Sequence, residues 1–527
     1  MAQSRYNPAH FNLPYPITMK TTAFFTREHF APYFDRRALT MLFLGFAAGL
    51  PGQLIFATLG LWLQEAGIER KMVTMFSWAG LGYSFKFVWS PLVDTLVLPY
   101  LTKSLGRRRS WLLASQIMMA TSVCVMAFTD PSHSAASLTT MALAAVCLGF
   151  SSATQDIAID AYRIESAPND IALQSIISST YVMGYRFGMI LTGAGSLKLA
   201  DWLGSTQQNY QYGAWQTTYI VMAIIIAACT LGTLWAKEPP VAAEQQNRFP
   251  TRDNVRLVLM FILSVLGLVF AYRFLGDVLP AGNKKAPLFT FLMESTRLMG
   301  SLAVAALVGW VSVQVGVVRK EVALKTWVEP VTDFFHRYGK RALLLLALIG
   351  LYRISDVVAG VISNVFYAEL GFSKDDIANA VKTFGVIMSI MGGLLGGLLA
   401  QRFAVMKMMM LGAILAAASN LLFIVLANSG KDFAIFYFAV GIDNLAGGLA
   451  SSIFIAFLSS LTNIRFSAVQ YALFSSMMTL LPKVLGGYSG AIVDGIGYSG
   501  FFGFTAALGV PILGLIWWAE QALFRKS

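Results

Sequence analysis

Residues 137–163 read SLTTMALAAVCLGFSSATQDIAIDAYR. No residue from Ser137 to Gln155 carries a charge, which approaches the ~20 apolar residues a helix needs to cross ~30 Å of hydrocarbon. The same run then continues into Asp156, Asp160 and Arg163. A charge embedded in a span costs roughly 2.5 to 3.5 kcal/mol on insertion scales, so each one requires a reason. The two carboxylates are four residues apart on one helix face, and Arg163 follows on nearly the same stripe. This single stretch therefore predicts both a membrane span and a polar interior for it to face.

The rest of the chain agrees on the first point. Of 527 residues, 56% are apolar and 13% charged, about half the charge of a soluble domain. Disorder, collagen and disulfide scaffolds are excluded. Cys124, Cys147 and Cys229 lie in apolar runs with neither metal-ligand nor disulfide spacing, so no metal or cofactor is expected. Twelve spans read near 38–63, 73–98, 109–128, 137–160, 172–200, 215–236, 341–368, 377–400, 405–427, 433–461, 467–492 and 499–523. Two further runs, 255–279 and 288–318, fall between the sixth and seventh and bring the count to 14.

Sorting the connectors by side places 25 Lys and Arg on one face and 7 on the other. By the positive-inside rule both termini are cytoplasmic. The net charge of +12 then records topology, and no nucleic-acid partner is expected. The first 35 residues lack the order of a signal peptide, and Thr21 to Phe34 reads as either an interfacial helix or a disordered tail.

An internal repeat is visible. A shift of 304 lays Ala38 on Ala342 and Glu65–Ile68 on Glu369–Phe372, and a shift of 297 lays Ser178 on Ser475 and Arg186 on Lys483. Two related six-helix halves follow, the parallel repeat of major facilitator transporters, with substrate near the midplane. The expected organisation is a cytoplasmic segment 1–37, a first bundle 38–236, a linker with two added helices 237–340, and a second bundle 341–527.

The embedded charges supply candidate sites. Asp156 and Asp160 suit proton carriage, because carboxylates sharing a low-dielectric face resist joint ionisation; the alternative for Asp160 is a structural pair with Arg163. Arg353 and Asp356 either neutralise each other or divide between substrate and proton. Lys86, Arg186 and Lys483 have no carboxylate at i±3 or i±4, so they either hold an anionic ligand or pair with an Asp of another span. Asp94, with Arg107, Arg108 and Arg109 across a loop, reads as a gate. In the middle helices Glu294 and Arg297 are expected to pair with each other.

The stretches Tyr83–Asp94, Gly106–Ala114, Phe150–Ala161, Gly184–Met189 and Tyr352–Asp356 resemble the signature of the AmpG-type muropeptide permeases. The resemblance covers nearly the whole chain outside 240–320. It implies an all-α major facilitator fold and proton-coupled import of anhydro-muropeptides across the inner membrane of a Gram-negative bacterium, feeding recycling and β-lactamase induction. It also implies a monomer working on a small molecule and protons. On its motifs the proton-coupling candidates are Asp156, Asp160 and Asp356. The substrate candidates are Lys86, Arg186, Arg353 and Lys483, with Tyr185 and Gln155. Acetyl-CoA transporters share the Lys-Phe-x-Trp-x-Pro-x-x-Asp and Asp-Ile-x-x-Asp patterns, so another anionic cargo is the alternative, as is a non-transporting sensor. An enzyme is not expected, since His10, His29, His133 and His336 are scattered over tails and loops.

Overall fold

The computed structural model describes residues 30–68, 76, 80–168, 170–206, 208–240, 249–280, 287–486 and 488–524. Fifteen helical segments organise them. We number these α1 (Arg36–Glu65), α2 (81–95), α3 (Arg107–Ala127), α4 (Ala135–Ser166), α5 (171–202), α6 (Tyr212–Trp235), α7 (Thr251–Val278), α8 (Pro287–Gln314), α9 (320–338), α10 (Arg341–Glu369), α11 (Asp375–Ala400), α12 (Val405–Ser429), α13 (Phe433–Leu461), α14 (Ser467–Gly486) and α15 (Ser489–Phe524). Eleven of them are long and apolar enough to cross a membrane. They coincide with eleven of the 14 expected spans; the other three expectations fall on α2, α5 and α14. Of the second expected span, 73–98, residues 73–75 and 77–79 lie outside the described residues, as does the segment Thr21 to Phe34 up to His29.

Local chemistry starts and interrupts these helices. Asp35, Ser134, Asp170 and Asp432 cap α1, α4, α5 and α13, each accepting from a backbone N–H of the first turn. α1 widens into a π turn over Leu54–Thr58 and α5 over Leu191–Gly195. The widened turns meet, and Thr58 Oγ1 donates to the Thr192 carbonyl at 3.1 Å, satisfying backbone that a π turn frees. α2 breaks into a 3₁₀ turn at Lys86–Val88. α10 breaks at Tyr352–Arg353, between helices ending at Leu351 and starting at Ile354. α15 kinks at Gly497, whose φ of 69° belongs to the left-handed region.

Small residues let backbones approach closely. A Cβ on Gly45 would stand 2.2 Å from the Tyr181 carbonyl oxygen, and one on Gly184 would stand 2.0 Å from that of Leu42. Gly49 and Gly188 repeat this one turn further, at 2.2 Å from Tyr185 O and 2.3 Å from Phe46 O. α1 and α5 are thus in backbone contact along two turns, the membrane solution to association without a hydrophobic drive between apolar helices. α11 and α13 do the same at Gly392 and Gly448, each with a Cβ site 2.0 Å from a carbonyl oxygen of the other helix.

The described residues divide into two compact units. The first takes those up to Phe87, Leu98–Pro240 and those from Arg337 onward, so it contains the helices expected of both halves except the end of α2; the second takes Val88–Val97 and those from Val241 to His336. In the second unit α7 packs on α8, and Arg297 lies 3.8 Å from the Tyr272 ring centroid and 3.8 Å from Glu294. Only 17% and 11% of the apolar windows of α7 and α8 are buried, against 61% for α1. Most of the added pair is therefore exposed, with Asp253 and Arg319 bonded near its ends.

Candidate functional site

α4 carries the densest polar cluster of the first half. Asp160 takes two cations at once: Lys86 Nζ at 3.4 Å from Oδ2 and Arg163 Nη1 at 3.2 Å from Oδ1. All three are buried. Lys86 opens the 3₁₀ break of α2 and reaches Asp160 of α4 from there. Arg163 also stacks over Tyr471 at 4.7 Å and Tyr181 at 5.6 Å, and donates to Ser459 Oγ at 3.4 Å. One turn from Asp160, Asp156 is within electrostatic reach of Lys86 and Asp160, yet its Oδ1 has no hydrogen-bond partner among the described residues. Gln155 is fully buried and has no partner at either amide atom among the described residues. Buried polar atoms without partners are uncommon and mark places where something else binds.

The second half presents a counterpart at the α10 break. Arg353 Nε lies 3.0 Å from Asp356 Oδ2, and its Nη1 donates to Ser451 Oγ at 2.7 Å. Asp443 on α13 accepts from Ser419 at 2.9 Å and lies within electrostatic reach of Arg353 and Asp356. Arg186, on α5, faces this cluster from the first half, with Tyr185 beside it and Arg353 and Asp356 within electrostatic reach. No ion pair is found for Arg186 among the described residues. The two halves therefore bring one cation without a carboxylate to the edge of a neutralised Arg–Asp pair.

At the end of the bundle where α4 finishes and α14 begins, the halves are bonded together. Glu165 receives Arg107 Nη2 at 2.9 Å and Arg108 Nη2 at 2.5 Å, and Ser467 of α14 donates to it at 2.6 Å. Tyr33 donates to the Leu394 carbonyl of α11 at 2.9 Å. Glu238 caps α3 by accepting from the N–H groups of Arg108 and Arg109 at 2.7 and 3.0 Å. Burial raises the Glu238 carboxyl above its ordinary range despite these two donors. Gly106 opens the helix at φ 89°, and a Cβ there would run into the Glu238 side chain.

Set against the sequence, Asp160, Arg163 and Lys86 converge, as do Arg353 and Asp356. Lys86 is not an unpaired cation: its carboxylate comes from α4, beyond the reach of an i±4 search. Arg186 and Tyr185 lie at the interface of the two clusters. The side chain of Lys483, on α14, lies outside the described residues. Asp94 belongs to the second compact unit and Arg107, Arg108 and Arg109 to the first; two of the three arginines meet Glu165, which sequence reasoning assigned no role. Glu165 sits where a span runs into a loop and reads as an ordinary solvated acid; only its 3% exposure identifies it. Glu238 and Ser467 carried no signal at all, and Tyr33 was legible only as one aromatic of the Thr21 to Phe34 segment. A groove of about 940 Å³ between α1, α5 and α6 is lined by Phe43, Phe46, Phe187 and Trp235 with no charged side chain, which does not match an anionic cargo.

Known proteins resemble this arrangement. A family model described as acetyl-coenzyme A transporter 1 matches residues 38–211. The anhydromuropeptide permease of Escherichia coli K12 is 31% identical over 489 residues, 92% of this chain and 80% of that protein. A protein of Rickettsia conorii named putative transporter AmpG 4 is 30% identical over 479 residues, covering 91% and 95% of the two chains. Among solved structures, the major facilitator proton:xylose symporter XylE aligns over 92% of this chain and 96% of its own, with a TM-score of 0.58 and 12% identity. The major facilitator transporter FucP aligns over 93% and 100%, with a TM-score of 0.57 and 12% identity.

Proposed function

Because the chain belongs to the AmpG permease family and has the major facilitator fold, we propose that it imports anhydro-muropeptides across the bacterial inner membrane, driven by protons. It is a multi-pass transporter and not an enzyme. The observation that carries the finer reading is the unequal pair on α4. Asp160 is saturated by Lys86 and Arg163, whereas Asp156 keeps an oxygen without a partner among the described residues. A carboxylate poised this way can take and release a proton without dismantling an ion pair.

Cargo recognition falls to the opposite face of the site. Muropeptides carry stem-peptide carboxylates, and Arg186, for which no ion pair is found among the described residues, can hold one. Tyr185 offers an aromatic face for a sugar ring, and Gln155 offers an unspent amide donor and acceptor. Arg353 can exchange Asp356 for a substrate carboxylate, leaving Asp356 to accept a proton. The Glu165–Arg107–Arg108–Ser467 cluster then closes the basic, cytoplasmic end while cargo enters from the other side. Alternating access requires that cluster to part once per cycle.

Uptake into proteoliposomes of defined internal pH tests this. Intact anhydro-muropeptide should accumulate under an inward proton gradient, and both sugar-only and peptide-only fragments should compete weakly. Transport without any dependence on the gradient would remove the coupling. A second reading, acetyl-CoA as cargo, is favoured by the match of residues 38–211, and accumulation of acetyl-CoA with no muropeptide uptake would replace the first.

A further inference from the structure

Between the last residue of α8, Gln314, and the first of α10, Arg341, the chain forms one helical segment, α9, that is not among the helices long and apolar enough to cross a membrane. Its side chains sort into three faces. Val322, Thr326 and Phe334 are buried, at 3%, 1% and 2% exposure. Leu324, Val328, Val331 and Phe335 are exposed, at 43%, 45%, 37% and 40%. Their spacings of four, three and four residues set them on one stripe. Lys325 and His336 are exposed on a third face.

Chain length fixes where this helix lies. Its start is six residues from the end of α8 and its end is three residues from the start of α10, so neither end can leave its span terminus by more than ~20 Å. No span intervenes, so both termini are on the same side of the membrane. A helix of this length, ~28 Å, tethered at both ends to one membrane face runs along that face. Four large apolar side chains in a row on water would form an exposed patch of a kind that soluble surfaces avoid. Across 319–341 six Lys and Arg oppose three acidic residues, a net +3, which complements anionic headgroups.

We propose that α9 is an interfacial helix whose Leu324–Val328–Val331–Phe335 stripe inserts into the bilayer leaflet, with anionic lipid headgroups around its basic flanks. Insertion follows from the tethering together with the exposed apolar stripe; that the leaflet is the cytoplasmic one rests on the orientation proposed above. The segment joining the two halves is then a float on the lipid surface and not a slack linker, and lipid composition acts on the transporter through it.

The test uses the full chain in liposomes of phosphatidylethanolamine and phosphatidylglycerol, with Cys124, Cys147 and Cys229 replaced and single cysteines carrying nitroxides. Collision with oxygen should exceed collision with a water-soluble nickel complex at positions 324, 328, 331 and 335, and the order should invert at 325 and 336. Nickel dominating at the four apolar positions overturns the proposal, as does low access to both reagents, which would mean a second copy covers the stripe. As an independent reading that spares the apolar packing, Val328→Trp should add to the quenching that lipids brominated near the headgroup produce in the parent, whose 11 tryptophans set the baseline; no added quenching counts against insertion. A membrane-impermeant thiol reagent on His336→Cys, applied from each side, reads orientation separately.

Discussion

Asp156 and Asp160 look interchangeable in the sequence, and the structure predicts that their amides will not behave alike. Asp160 lies 3.4 Å from Lys86 Nζ and 3.2 Å from Arg163 Nη1. At an effective dielectric near 20 each contact amounts to about 5 kcal/mol of attraction, reduced by repulsion between the two cations and by the cost of dehydrating all three groups. Asp160→Asn leaves Lys86 and Arg163 buried without their shared anion, and breaking such a pair costs about 3–5 kcal/mol. Asp156→Asn removes attraction to Lys86 but also removes repulsion from Asp160 and the burial of a charge whose Oδ1 has no hydrogen bond. Its stability should change by no more than about 1 kcal/mol. Unfolding of the purified variants by SDS titration in mixed micelles measures the difference, and proteoliposome uptake measures function. We expect Asp160→Asn to be strongly destabilised, and Asp156→Asn to be folded as well as the parent yet unable to concentrate substrate. Equal stability losses would refute the geometric argument; concentrative uptake with unchanged pH dependence by Asp156→Asn would refute the proton assignment.

Three further outcomes follow from the packing and the seam. Gly447 has open space where a Cβ would go, whereas the Cβ of residue 448 would stand 2.0 Å from Ser389 O; Gly447→Ala should be neutral or stabilising by up to ~1 kcal/mol, and Gly448→Ala should cost ~1–3 kcal/mol or more, in the same SDS titration, with similar values for the two defeating the packing argument. Glu165→Gln should lengthen the distance between nitroxides at positions 103 and 407, read by double electron–electron resonance, because Arg107, Arg108 and Ser467 lose the carboxylate that joins the halves; an unchanged distance distribution would mean that the seam is held elsewhere. Glu238 has a folded pKa raised by burial, so the native state binds more protons than the unfolded one, and its contribution is present below the ordinary Glu range of about 4.3 and lost as pH rises through the raised value. The thermal midpoint should fall across that window, and Glu238→Gln should flatten the slope; an equally steep slope in the variant would show that another group titrates.

Much of this architecture was written in hydropathy and charge. The hydropathy of a span is a one-dimensional property, so Arg341–Glu369 or Phe433–Leu461 could be read directly. Partnerships on one helix were also legible: Arg353 with Asp356, Arg163 with Asp160 and Arg297 with Glu294 are all three apart. What could not be read were meetings between helices. Lys86 meets Asp160 at the point where α2 breaks, and nothing in a Lys-Phe-Val triplet announces a 3₁₀ turn. Glu165 and Ser467 are 302 residues apart, and their union depends on how two bundles close at one end. Three expected spans, those on α2, α5 and α14, are not among the described helices long and apolar enough to cross a membrane: α5 carries Arg186 and α14 carries Lys483, and part of the span on α2 lies outside the described residues.

The backbone contact of α1 with α5 has a consequence for the transport cycle. Glycines four residues apart on each helix seat against carbonyl oxygens of the other, in register. Axial slip by even one residue would drive the side chains of Phe46 or Tyr185 into the space a hydrogen now occupies. The two helices can therefore move only as one body, and no shear can be accommodated between them. Displacement during the cycle must be taken up at surfaces joined by side chains, such as Arg108–Ser467 and Arg163–Ser459, where rotamers can let go without moving a backbone. The glycines thus determine by exclusion where the moving parts of this transporter lie.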